Sequence, residues 1–192
     1  MSSIIRFAIV VFCFLLTVFC KKPLNKVDLK LLRLGMFFTV IADLCLIILD
    51  YRIIGVSLFC IVQIIYIARY DMGYFRSALK ILPIALFTLL IVYLLLNYFN
   101  YDVDFLIFLS LFYGVCILSG LYTSVKAIRK GKYPYPNSKL VLYGIILFIC
   151  CDINVALSYM GVLDNLTFNL IWVFYLPSQF LLSISGYKFN LD

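Results

Sequence analysis

The chain has 192 residues, of which 66% are hydrophobic, 18% aromatic and 13% charged, with a mean hydropathy of +1.12. This balance excludes an ordinary soluble domain and describes a polytopic membrane protein. The net charge of +7, which would suggest a nucleic-acid partner on a soluble protein, is explained here by where the basic residues fall, and no nucleic acid is expected.

The apolar stretches predict an all-α transmembrane bundle of about seven helices, one integral membrane domain over 1–192. The helices are expected at roughly 4–20, 34–49, 53–68, 81–98, 105–127, 140–160 and 166–185. The first has the basic residue and apolar run of a signal peptide. No small-x-small cleavage site precedes Lys21, however, and Phe19 before Cys20 spoils a lipoprotein signal, so it reads as a retained helix.

Basic residues alternate by loop. Lys21, Lys22, Lys26, Lys30 and Arg33 follow the first helix. Arg69, Arg76 and Lys80 follow the third, and Lys126, Arg129, Lys130, Lys132 and Lys139 surround the fifth loop. Lys188 follows the last helix, and only Arg6 and Arg52 lie on the other side. The positive-inside rule therefore puts the N-terminus outside and the C-terminus in the cytoplasm, with a bacterial cell membrane as the expected location.

The second helix carries Asp43 within FFTVIADLCLIIL, and the sixth carries Asp152 within LVLYGIILFICCDINVALSYM. A carboxylate at the centre of a membrane helix costs roughly 2.5 to 3.5 kcal/mol on insertion scales, so it normally faces the bundle interior and marks a site. Gly35 lies eight residues before Asp43, as Gly144 lies eight before Asp152. Both glycines share a stripe with their carboxylate and read as points of close helix contact. Gln63 in the third helix and Gln179 in the seventh reach a similar depth, near mid-membrane. Tyr66 follows Gln63 by three residues, while Trp172, Tyr175, Gln179 and Ser183 share one face. Pro177 should kink the seventh helix beside Gln179. KGKYPYPNSK reads as a short extended connector.

The seven cysteines sit in the apolar segments without CxxC spacing and read as packing residues, implying no disulfide framework and no metal site. The chain contains neither histidine nor glutamate. Ser-His-Asp, Cys-His and HExxH chemistry are thereby excluded, no cofactor motif is present, and acid-base work falls to Asp, Tyr, Lys or Cys.

Taken in order, these residues resemble a known family. Lys22-Pro23-Leu24, Ala42-Asp43, Gln63 with Tyr66, Gly144-x-x-Leu147-Phe148-x-x-Cys151-Asp152 with Ala156, and Trp172-x-x-Tyr175-x-Pro177-x-Gln179 are similar to the pattern of the YhhN family, which includes the lysoplasmalogenases. The resemblance covers nearly the whole chain. It implies a membrane hydrolase that cleaves the vinyl ether bond of lysoplasmalogens, with a lysophospholipid substrate met in the bilayer. It also implies Asp43 and Asp152 as the catalytic pair; Gln63, Tyr66, Tyr175 and Gln179, by their depth and helical spacing, are expected to bind or orient the substrate. The chain departs from the family at Ala42, usually Gly, at Cys151, usually Ser, and at Gln63, usually His, and it shows seven helices where eight are common.

Vinyl ether hydrolysis needs an acid and a water-positioning base but no nucleophilic serine, and one member of a buried carboxyl pair can hold a proton while the other stays anionic. Two alternatives fit the same residues: a small-molecule or lipid transporter using its buried aspartates, and a catalytically silent relative.

Overall fold

A computed structural model describes residues 3–161 and 164–189, so the two ends of the expected 1–192 domain lie outside the described residues. Among the described residues there are seven helices: α1 (Ser3–Val18), α2 (Lys26–Asp43), α3 (Arg52–Tyr70), α4 (Met72–Tyr98), α5 (Phe105–Arg129), α6 (Asn137–Tyr159) and α7 (Asp164–Ile184). The last turns of α2 continue as a π-helical segment, Leu44–Ile48. Six of these described helices, counting α2 with its π segment as one, are long and apolar enough to cross a bilayer. The exception is α1: its 16 residues reach about 24 Å, short of a hydrocarbon core about 30 Å thick.

The expected helices are all found, but several start earlier than hydropathy suggested. α2 begins at Lys26 rather than 34, because the Asn25 side chain accepts the N–H groups of Val27 and Asp28 and nucleates a polar first turn. α4 begins at Met72 rather than 81 for the same reason: Asp71 accepts from the N–H groups of Gly73 and Tyr74. Arg76 and Lys80 therefore sit on a helix and not in a loop. α7 runs continuously through Pro177, which is exposed.

The helices close into a ring. α1 packs on both α2 and α7, α2 on α3, α3 on α5, α5 on α6 and α6 on α7, while α4 lies outside the ring against α3 and α5. The tightest seams are α6 with α7 and α2 with α3, and the loosest is α5 with α6. The ring interior is filled by Val10, Leu32, Met36, Val62, Phe148 and Leu182, among others. A second cluster, including Cys60, Ile67, Leu82, Phe108 and Cys116, glues α4 to α3 and α5. The outer face of α4, with Ile84, Phe87, Leu94 and Leu95 exposed, is fit only for lipid.

Both matched glycines are contact points, as their stripes implied. A Cβ on Gly35 would meet the Tyr66 ring at 2.8 Å, and one on Gly144 would meet Leu182 at 2.8 Å, so each lets a neighbouring helix come closer than alanine would.

Candidate active site

The sequence singled out Asp43 and Asp152, and the ring turns both into its interior, each against a tyrosine. The Tyr175 hydroxyl on α7 donates to Asp43 Oδ2 at 2.5 Å, and the Tyr113 hydroxyl on α5 donates to Asp152 Oδ2 at 2.7 Å. Cys151 lies within electrostatic range of both carboxylates, as does Tyr175, so the two pairs belong to one neighbourhood. Among the described residues neither aspartate takes part in an ion pair. Aromatic rings bridge the pairs: Tyr113 to Phe59 at 6.2 Å, Phe59 to Phe148 at 5.8 Å, and Phe148 to Tyr175 at 5.8 Å.

The two pairs differ in access. Asp43 and Tyr175 are sealed, 3% and 4% exposed, whereas Asp152 and Tyr113 are only half-buried. The difference follows from the ring, because Asp152 and Tyr113 face each other across the loose α5 and α6 seam. With α2 extended to Lys26, Asp43 stands about 7 Å along the helix from Ile48, nearer the end of that helix opposite the basic loops than its middle.

The π segment begins at the residue after Asp43, with Leu49 N–H reaching back to Leu44 C=O at 3.1 Å. Such a turn takes up an extra residue and re-aims the side chains around it, and π-bulges are frequent at functional sites. Nothing in LCLII announces it.

The other expected residues divide. Gln63 is buried, lies beside Tyr113, and its amide nitrogen has no hydrogen-bond partner. Gln179 is fully buried one turn beyond Tyr175 with neither amide atom bonded. Unpaired buried amides are rare and usually mark a bound partner or a functional site. Tyr66 does not join them. Its hydroxyl points at Met36 Sδ, 3.4 Å away, and its ring fills the space above Gly35, so it is a packing residue. Tyr113 was not anticipated. The available signal was its place nine residues into a 25-residue helix, well inside the level at which interfacial tyrosines sit.

A second polar cluster, also not anticipated, lies at the basic end. Asp28 on α2 accepts from Arg69 Nε at 3.1 Å and Nη2 at 2.9 Å, and from the Tyr133 hydroxyl; Arg69 Nη2 also donates to Ser185 Oγ at 2.9 Å. Arg69 is 1% exposed and Asp28 4%, so counting Arg69 as a loop charge was mistaken. The 130–139 connector is likewise more than a spacer. Lys132 Nζ donates to the carbonyl of Tyr70 at 3.0 Å, and Asn137 Nδ2 to those of Ser185 and Tyr187 at 2.8 and 2.7 Å. Burial pushes the Tyr133 phenol up and the Lys132 ammonium down. Tyr133 therefore remains a donor to Asp28 at neutral pH. Leu24 and Lys188 close the same end through backbone bonds to Gly186 and Lys22. Arg69 Nη1 and the Tyr70 hydroxyl are buried there without a partner, but the carboxylate is bound to a cation, and the cluster ties α2, α3 and the connector together.

No group of three or more His, Cys, Asp or Glu side chains that could hold a metal ion comes together among the described residues. The assembled groups are two carboxyls, two phenols and two amides in an aromatic setting, equipped for proton transfer. No curated protein and no solved structure matches the chain. The model of the YhhN family matches residues 2–186, nearly the whole length, and the chain belongs to the YhhN family.

Proposed function

We propose that the protein is a membrane-embedded hydrolase that cleaves the vinyl ether bond of lysoplasmalogens, releasing a fatty aldehyde and a glycerophospho-headgroup compound. The observation that carries this reading is the pairing of two interior carboxyls with tyrosines and with no cation. A carboxyl bound to a cation is held as the anion, whereas one bound to a neutral phenol is free to exchange a proton.

On this reading one carboxyl gives its proton to the alkene carbon distal to the ether oxygen, leaving an oxocarbenium ion. The other takes a proton from water as the water oxygen attacks the cationic carbon, giving a hemiacetal. Collapse of the hemiacetal moves its hydroxyl proton to a carboxylate and returns a proton to the departing glycerol oxygen, which restores the starting state. The rings of Phe59 and Phe148, between the two tyrosines, supply aromatic surroundings of the kind that favour a transient cation. A single-chain lipid would reach Asp152 through the loose α5 and α6 seam, where that residue is only half-buried. The basic end belongs in the cytoplasm on the same reading, so a reporter fused after the last residue should report an internal C-terminus.

The test compares three lysophospholipids on purified protein. Aldehyde is expected from the vinyl ether, none from the saturated alkyl ether, which has no double bond to protonate, and little hydrolysis of the acyl ester, which calls for a nucleophile activated by a base such as a serine-histidine pair, and the chain has no histidine. Comparable release from acyl and vinyl lipids would overturn the mechanism. No release from any of the three by folded protein would favour a transporter or a silent relative.

A further inference from the structure

Arg6 lies at the end of the bundle where the two aspartates sit, and it has no role in the chemistry above. It is 9% exposed, and its guanidinium carbon stands 4.8 Å from the Phe168 ring centroid and 4.3 Å from that of Trp172. Among the described residues it has no carboxylate partner, while Arg52, the other basic residue of that end, is exposed and paired with Asp50 at 3.0 Å. Arg6 Nε has no hydrogen-bond partner, and neither does Trp172 Nε1. Two buried donors thus sit together without an acceptor, in a place where each unmet donor costs about 1 to 3 kcal/mol. The two rings lie against the guanidinium without offering it an acceptor, so its Nε–H is left for a ligand oxygen, and arginine suits the oxygens of a phosphate.

The position relative to the carboxyls is equally specific. Trp172 precedes Tyr175 by three residues, about 4.5 Å of helix rise, and the two rings lie 6.0 Å apart. Tyr175 in turn holds Asp43. In a lysoplasmalogen a single glycerol unit separates the phosphate from the vinyl ether oxygen, a comparable step. We infer that Arg6, with the Trp172 indole N–H, anchors the phosphodiester of a single-chain lysophospholipid, an assignment that rests on reading Asp43 and Asp152 as the hydrolytic pair. The headgroup then sits between α1 and α7, the reactive bond lies between the two carboxyls, and the chain leaves through the α5 and α6 seam.

Trp172 is the only tryptophan in the chain, so its emission reports on this site directly. The experiment titrates the full chain, in an uncharged detergent, with an alkyl-ether lysophosphatidylcholine, with an alkylglycerol of the same chain and with glycerophosphocholine. Because the alkyl ether is not cleaved, absence of turnover leaves the readout intact and tests the hydrolase reading separately. A saturable change is expected with the lysophospholipid, at least tenfold weaker binding of the other two, and at least a tenfold loss for the lysophospholipid alone in Arg6→Met, with Arg6→Lys in between. Should Arg6→Met fail to fold, the three-ligand comparison on the native chain still decides. Equal affinity for phospholipid and alkylglycerol, or native phospholipid binding by folded Arg6→Met, would overturn the anchor. Equal affinity for glycerophosphocholine would overturn its assignment to a lipid, and no saturable response to the lysophospholipid would overturn both.

Discussion

Asp28 and Asp43 lie on the same buried stripe of one helix, yet the bundle treats them in opposite ways. At the basic end Asp28 is gripped by a bidentate arginine and a phenol, with Arg69 held in turn by Ser185. At the other end Asp43 has a single tyrosine, and Asp152 across the interior has another. The first arrangement binds the carboxyl to a cation; the second offers it only a neutral phenol. What distinguishes a tie from a site here is the company each carboxyl keeps, and substitution should separate the two.

The largest effect is expected at the tyrosine-paired end. Asp43→Asn and Asp152→Asn keep shape and remove proton chemistry, so each should lower aldehyde release by at least roughly 10²-fold, the usual worth of a general acid or base, while the melting temperature holds. Near-native turnover in either variant would make that carboxyl a helix tie like Asp28.

Asp28→Asn should show the reverse profile. It strands a buried guanidinium and should destabilise the protein by roughly 3 to 5 kcal/mol in detergent unfolding, with turnover per folded molecule little changed. Replacing both partners, Asp28→Leu with Arg69→Met, should recover much of the loss, since a well-packed apolar pair often matches a buried ion pair. If the double variant were no better than the single one, the cluster would be more than a tie.

The tyrosines sharpen the contrast between the sealed and the half-buried carboxyl. Tyr175→Phe and Tyr113→Phe each delete one hydrogen bond to a carboxyl group, worth about 1.5 to 3 kcal/mol when the acceptor is charged, or roughly tenfold to hundredfold in rate if felt at the transition state. Water can replace the lost donor at half-buried Asp152 but not at sealed Asp43. Tyr175→Phe should therefore lower both turnover and melting temperature, and Tyr113→Phe chiefly turnover. Identical losses in the two variants would mean that the difference in access has no energetic consequence.

The tyrosine-paired end was the more legible of the two in the sequence, and the reason is physical. A carboxylate within an apolar run is conspicuous, and hydropathy located both Asp43 and Asp152 and the helices that carry them. A tyrosine in such a run is not, because its ring suits lipid, core and interface alike, so Tyr113 passed unnoticed and Tyr66 was given a role that Gly35 and Met36 explain better. Asp28 and Arg69 were hidden by their neighbours. Counting charges per loop treats every basic residue as solvated, and KVDLKLLRLG looks like a loop until Asn25 is seen to cap it. The buried stripe of Asp28, Leu32, Gly35, Thr39 and Asp43 was the signal that could have found the tie. The π segment left no such trace, since any five apolar residues would have read the same.

The smallest expected effect concerns a third kind of carboxyl, charged and paired but near the surface. Asp71 caps α4 through the Gly73 and Tyr74 N–H groups and meets Lys126 Nζ at 3.0 Å. The hydrogen bond from Lys126 holds Asp71 below the ordinary carboxylate value. A lowered folded value means that the charge stabilises the fold fully above the unfolded value of about 3.9, and that the contribution fades as pH falls through the folded one. Asp71→Ala removes the cap and should cost about 1 kcal/mol, seen as faster hydrogen exchange at the start of α4. Asp71→Asn keeps a capping oxygen and loses only the charge, so it should fall between Ala and the native chain at pH 7. The gap between Asn and native should then close below about pH 4. A gap that persisted in acid would show that the cap, and not the charge, accounts for all that Asp71 contributes.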